Sequence, residues 1–166
     1  RLRRVVIMGG AVALPGNVSA WAEANIFGDP EAANVVFQSG VTVDLVPLDA
    51  TLINLVQKDE LKNLTDQIGD AGKFLWQIKQ HYLGFYSNKG HGDVFPMHDS
   101  SAAVAMVNPE LFSWQIGKLS CVLDGEQRGR TLMDEDGTGP HHVAVSADRK
   151  NSWEFVSDSL LSGFGA

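Results

Sequence analysis

Three polar side chains, Asn17, Glu23 and Asn25, sit close together in an otherwise small or apolar stretch, VVIMGGAVALPGNVSAWAEANIFGDPEAA from Val5 to Ala33. The pair His98-Asp99 comes much later, and Tyr82 and Tyr86 lie one helical turn apart between them. Amide and carboxylate side chains hydrogen-bond polar ligands. An imidazole beside a carboxylate offers proton transfer and a hard-metal ligand. Each set also has a plain reading. Asn and acidic side chains commonly tie loop backbone together. Asp99 ahead of Ser100-Ser101-Ala102-Ala103 reads as a helix N-cap beside an ordinary loop histidine. Tyr82 and Tyr86 share one helix face, which by default is a packing stripe.

The elements that must position these residues alternate between strand and helix. Arg4 to Met8 is a β-branched, apolar run broken by Gly9-Gly10, the pattern of a buried strand entering a loop. Asp29 as N-cap and Pro30 at the first helical position start a helix that runs to about Gln38, before Ser39-Gly40. Val41 to Leu48 (VTVDLVPL) is the next buried strand, and a strand–helix–strand crossover makes the two strands parallel. The loop with Asn17, Glu23 and Asn25 then lies at the carboxyl end of a parallel strand, where open α/β sheets bind ligands. Asp49-Ala50-Thr51 follows the second strand and reads as support for the loops.

Asp59 to Tyr86 is helical, with Leu61, Leu64, Ile68, Phe74, Leu75, Ile78 and Tyr82 at helical spacing and a break near Ile68–Gly72. Ser87 to Asp93 is a polar loop, and a helix from Ser100 to Val107 stops at Asn108-Pro109. Leu119–Leu123 and Arg130–Met133 flank a turn as an antiparallel hairpin. His142–Ser146 is a short strand, and Ser152–Leu161 a closing helix with Trp153, Val156 and Leu160 inward. The expected architecture is one α/β domain over residues 1–166: a partial, open, Rossmann-like, mostly parallel sheet with flanking helices and a β-hairpin appendage.

Composition narrows the function classes. The chain has 166 residues, 44% of them hydrophobic, enough for one domain with a real core. Thirteen basic against 20 acidic residues give a net charge of −7, which argues against nucleic-acid and anionic-membrane surfaces. The basic cluster Arg1, Arg3 and Arg4 is too short to change this. Cys121 is alone, so no intrachain disulfide forms, and a reducing, cytoplasmic setting is expected. No apolar run reaches the length of a membrane span. Asn17-Val18-Ser19 and Asn63-Leu64-Thr65 match the glycosylation sequon, read here as chance. His81, His91, His141 and His142 have no ligand-like spacing and are read as solvent-facing; Asp134-Glu135-Asp136-Gly137 reads as a solvated turn.

Met8-Gly9-Gly10, Gly16-Asn17, Ala22-Glu23-Ala24-Asn25, Asp29-Pro30-Glu31-Ala32-Ala33, Leu48-Asp49-Ala50-Thr51 and His98-Asp99 occur in that order, and the set resembles the nucleoside hydrolases of the inosine–uridine-preferring type. Those enzymes hydrolyse the N-glycosidic bond between ribose and base. The resemblance implies that Asn17, Glu23 and Asn25 grip the ribose, whose hydroxyls both donate and accept. It places Met8 against the sugar and makes Asp99 a calcium ligand that meets the ribose diol. It turns His98 toward the leaving base as its acid, so that His98 and Asp99 are the catalytic pair. Tyr86 and Tyr82 fall in a region that closes over the base in that family. Ser100 stands where the family often has Pro.

One departure is larger. The family opens with an Asp-rich, calcium-binding segment that these residues do not contain, and most calcium ligands and the general base are expected from it. The resemblance therefore implies the carboxyl-terminal half of such an enzyme. It would be inactive alone and would associate as a homo-oligomer or with an amino-terminal half. Two other classes stay open: a nucleoside- or ribose-binding module without turnover, and a structural half that completes a sheet with another polypeptide.

Overall fold

The computed structural model of the chain describes residues 2–88, 92–134 and 138–165. In chain order the elements are β1 (Arg4–Met8), α1 (Ala24–Gly28), α2 (Pro30–Gln38), β2 (Thr42–Val46), α3 (Leu48–Thr51), β3 (Leu55–Gln57), α4 (Lys58–Thr65), α5 (Gly69–Asn88), β4 (Val94–Pro96), α6 (His98–Val107), β5 (Phe112–Cys121), β6 (Thr131–Asp134), β7 (His141–Ala147) and α7 (Arg149–Phe164). Contacts group them into two compact units, Arg1–Ile53 with His98–Ala147, and Asn54–Met97 with Asp148–Ala166.

The first unit carries the open α/β sheet read from the sequence. Its five strands lie in the order β1-β2-β7-β5-β6. β1 pairs with β2 in parallel from Arg4↔Thr42 to Met8↔Val46, and β2 pairs with β7 in parallel. β5 is antiparallel to both β7 and β6, so the hairpin extends the sheet through β5. α2 begins where its sequence demands: the Asp29 carboxylate accepts from Ala32 N at 2.9 Å, and Pro30 fills the first helical position. Phe37 from α2 packs with Val43, Leu45, Val143, Leu119 and Cys121 on one sheet face. Glu31 and Arg128 pair as carboxylate and guanidinium, which holds the Glu31 carboxyl below the usual range. Burial pushes the Cys121 thiol up, as suits a packed rather than reactive sulfur.

The second unit pairs β3 with β4 antiparallel and packs α4, α5 and α7 on a core of Val56, Leu61, Leu83, Phe95 and Met97. α4 opens on a capping box between Gln57 and Glu60. Arg149 of α7 donates from Nε to the Leu55 carbonyl at 2.7 Å and pairs with the Glu60 carboxylate, tying α7 to the start of this unit.

Several expectations need correction. β1 is half-buried, not buried, because it is an edge strand of the described sheet. The inner face of α5 carries Leu75, Trp76, Tyr82 and Tyr86, while Phe74 and Ile78 are exposed. A helix apolar on more than one side has no single phase to read. β5 starts at Phe112 instead of Leu119, its early half disguised by a register shift at Ser113/Trp114 and by Gly117. α6 starts at His98, and α7 at Arg149, earlier than read.

His141 does not face solvent, whereas His142 remains partly open to it. His141 is 2% exposed: its Nδ1 accepts from Val43 N at 3.2 Å, and its Nε2 donates to the Phe37 carbonyl at 2.9 Å. His142, half-buried, points to the opposite face and pairs with Asp44. His81 is exposed as read. His91, Arg1, part of the Ser87–Asp93 loop and the 135–137 turn lie outside the described residues.

Candidate active site

The site is built on the carboxyl ends of β1 and β2. Gly9 N donates to the Val46 carbonyl at 3.3 Å, and Leu48 N donates to the Gly10 carbonyl at 2.9 Å, so both strands open together into loops. Gly10 turns there with φ +81°, and a Cβ on it would stand 2.8 Å from Thr131 Oγ1. Any larger residue meets both strain and a clash. Past it, the Asp49 carboxylate gathers three backbone donors, Val12 N at 2.9 Å, Ala13 N at 2.7 Å and Leu14 N at 3.2 Å. That is the supporting role read for Asp49.

Glu23 holds the same loop from the other side. It is 2% exposed, and its carboxylate accepts from Gly10 N at 2.9 Å, Asn25 N at 2.9 Å and Ile26 N at 3.2 Å. The last two are open donors of the first turn of α1, so Glu23 is at once its N-cap and a brace onto β1. Gly16 permits the chain to fold back here, because a Cβ would lie 2.0 Å from the Ala22 carbonyl oxygen.

Asn17 and Asn25 are exposed and only partly committed. Asn17 Oδ1 accepts from Ala24 N at 2.9 Å, which leaves its NH₂ to donate. Asn25 Nδ2 donates to the Met8 carbonyl at 3.2 Å and to Met8 Sδ at 3.3 Å, which leaves its carbonyl to accept. One amide thus offers donors and the next an acceptor, the pair of functions a sugar hydroxyl satisfies. Met8, Asn17, Glu23 and Asn25 are brought together by these bonds.

His98 and Asp99 lie in the first turn of α6 in the same unit. His98 Nδ1 is 2.8 Å from Thr51 Oγ1, and Thr51 is fully buried, so α3 fixes the imidazole ring. The sequence reading gave Thr51 a structural role; its hydroxyl was the unread partner of His98, signalled only by its place after the second strand. Asp99 is exposed inside the helix, not ahead of it, which removes the N-cap reading. A carboxylate there is favoured by the helix dipole. Tyr82 and Tyr86 belong to the second unit, where their hydroxyls are 3.5 Å apart and their rings meet edge-on at 5.0 Å.

The residues present do not make a calcium site by themselves. Among the described residues no group of three His, Cys, Asp or Glu could hold a metal. Calcium takes about six to eight oxygens. Asp49 and Glu23 spend theirs on backbone donors, and Asp99 is exposed in the first turn of α6.

The sequence profile of the inosine-uridine preferring nucleoside hydrolases matches residues 1–155. This chain belongs to that family. It is 34% identical to a probable uridine nucleosidase 1 of Oryza sativa subsp. japonica, over 98% of its own length and 53% of the relative's. It is 36% identical to the non-specific ribonucleoside hydrolase RihC of Escherichia coli, over 96% of its length and 52% of that enzyme's. Among solved structures, a plant nucleoside hydrolase superposes with a TM-score of 0.88 at 30% identity, covering 95% of this chain and 53% of that one. The purine-preferring ribonucleoside hydrolase of Gardnerella vaginalis superposes with a TM-score of 0.86 at 34% identity, covering 95% and 52%. The chain therefore spans about half the length of the curated relatives it matches. Among its described residues no helix is long and apolar enough to cross a membrane.

Proposed function

We propose that this chain is the sugar-gripping and leaving-group half of a ribonucleoside hydrolase that cleaves the N-glycosidic bond of purine or pyrimidine nucleosides. The observation that carries the reading is the pairing of two exposed, half-committed amides, Asn17 and Asn25, held on the braced Glu23 loop where β1 and β2 end. In this reading Asn17 donates to, and Asn25 accepts from, ribose hydroxyls, with Met8 beneath the sugar and Glu23 keeping the loop in register. His98, oriented by Thr51, gives a proton to the departing base nitrogen. Tyr86 and Tyr82 are the proposed base contacts. Asp99 is the one carboxylate this chain offers to calcium and to the ribose diol; the other ligands and the general base come from polypeptide outside it.

The test is release of free base from uridine and inosine by this chain joined to the part of the Escherichia coli relative that it does not match. Free base from the joined protein supports the reading, and a folded joined protein with no turnover refutes it. The chain alone is expected to hydrolyse neither nucleoside. Titrated with calcium in a calorimeter, it should give no saturable heat, since a lone exposed carboxylate holds the ion too weakly. Micromolar binding would mean that this chain carries a complete site.

The outer edge of β1 sets the expected assembly. Val5, Val6, Ile7 and Met8 are apolar and half-buried, and the strand has one neighbour among the described residues. An open, apolar strand edge invites another strand. A second copy or the complementing half is proposed to cover it, and a monodisperse monomer by light scattering at micromolar concentration would contradict this.

A further inference from the structure

The face of the sheet opposite α2 carries a second set of charged groups that the nucleoside reading does not use. Asp44 on β2 stands beside His142 on β7 in the parallel register, and its side chain is 4% exposed. Its Oδ2 lies 3.2 Å from Arg4 Nε, and its Oδ1 lies 2.7 Å from His142 Nδ1. A buried carboxylate within a sheet is costly unless fully paired, and an apolar replacement is often no worse for stability. Both oxygens of Asp44 are turned inward to orient the two bases. Arg4 Nη2 donates to the Met106 carbonyl at 3.3 Å. Among the described residues Arg4 Nη1 and His142 Nε2 have no protein partner. The guanidinium and imidazole side chains are 43% and 41% exposed.

These groups line a pocket of about 270 Å³ whose other walls are Pro109, Trp114 and Ile116. The Trp114 indole is fixed in place: its Nε1 donates to the Pro109 carbonyl at 2.8 Å, and its ring meets His142 at 73° with centroids 6.5 Å apart. Ile116, 48% exposed, stands opposite His142 in the antiparallel register and closes the apolar side. The pocket thus combines unspent nitrogens of a guanidinium and an imidazole, oriented by one buried carboxylate, with an aromatic and an aliphatic wall. Because His142 Nδ1 must donate to the Asp44 carboxylate, its Nε2 donates only when the ring is protonated, so the standing donor to an acidic oxygen is the Arg4 guanidinium; a flat ring packs on the indole.

We propose that this pocket binds a small organic anion, a planar ring bearing a carboxylate or a phosphate, with the acidic group on Arg4, joined by His142 Nε2 when that ring is protonated, and the ring between Trp114 and Ile116. The site is separate from the proposed nucleoside site and does not rest on that reading. Benzoate and phenyl phosphate, titrated into the isotope-labelled chain, test it by the shift of the Trp114 indole N–H and of the Ile116 and His142 amides. Saturable shifts are expected for at least one of the two, and the tighter one identifies a carboxylate or a phosphate as the preferred group. Neutral benzamide should bind at least tenfold more weakly. Arg4→Gln should weaken binding tenfold or more. Because that change also touches Asp44, Ile116→Glu serves as a second variant: it places a negative charge at an exposed position on the pocket wall, leaves the Arg4–Asp44–His142 set intact, and should weaken binding to a similar degree. The proposal is overturned if neither anion gives a saturable shift, if benzamide binds as well, or if a folded Ile116→Glu chain binds as tightly as the parent.

Discussion

Glu23→Ala is expected to unfold the chain more readily by about 3–5 kcal/mol, because it strands the N–H groups of Gly10, Asn25 and Ile26. A buried donor left without a partner costs about 1–3 kcal/mol, and three on one carboxylate are not fully additive. For a chain of this size the loss lowers the melting temperature by about 10 °C or more. Glu23→Gln keeps the volume but has one acceptor oxygen where the carboxylate had two, so it should fall between Ala and the parent. Urea unfolding followed by circular dichroism measures both. A shift below about 1 kcal/mol in Glu23→Ala would mean that the loop finds other acceptors and that Glu23 is not its brace.

His98→Ala is expected to cut turnover of the joined protein by about a hundred- to ten-thousandfold, the range a positioned general acid supplies. The change also takes the imidazole partner from the buried Thr51 hydroxyl, so melting is read on this variant too and the rate is taken per folded molecule. Thr51→Val tests how the ring is held. It removes the oxygen 2.8 Å from His98 Nδ1 while keeping the side chain's shape. Turnover should fall by about tenfold, since the imidazole loses a hydroxyl that orients it. Thr51 is buried, so melting is read on the same variant. His98→Ala turning over at the parent rate would remove His98 from the chemistry.

What the sequence made legible follows from where its signals are local. Asp29-Pro30 specified the start of α2 because a cap and a proline act on adjacent residues. The β1–α2–β2 crossover followed from the short apolar runs on either side of that helix. β3 and β4, three residues each, are too short to show a period, and the early half of β5 is broken by its register shift. The His141 and His142 environments were out of reach. His141 is buried by Val43 and Phe37, about a hundred residues earlier in the chain, and His142 is paired with Asp44 on the neighbouring strand, as far away in sequence. Isolated residue types carry no record of such partners.

The candidate site shows the same division. Residue order suggested that Asn17, Glu23 and Asn25 belong together, and the hydrogen bonds through Ala24, Gly10 and Met8 join them. Their division of labour was not readable. Only the structure separates a buried Glu23 that serves the backbone from exposed amides with groups to spare. Asp49 and Thr51 illustrate it again: similar in position, one spends its oxygens on a loop and the other holds an imidazole.

The central claim is that the exposed amides on this loop grip the substrate sugar, and Asn25→Ala tests it most directly. In the joined protein, kcat for uridine and the melting temperature are measured on the same preparation. Asn25 is exposed and its bonds to Met8 are long, so melting should stay within about 2 °C of the parent. The rate per folded molecule should fall by about tenfold or more, as expected for losing a sugar contact that strengthens toward the transition state. A parent-like rate with an intact fold would contradict the account, and so would a melting temperature that collapses while the rate per folded molecule holds.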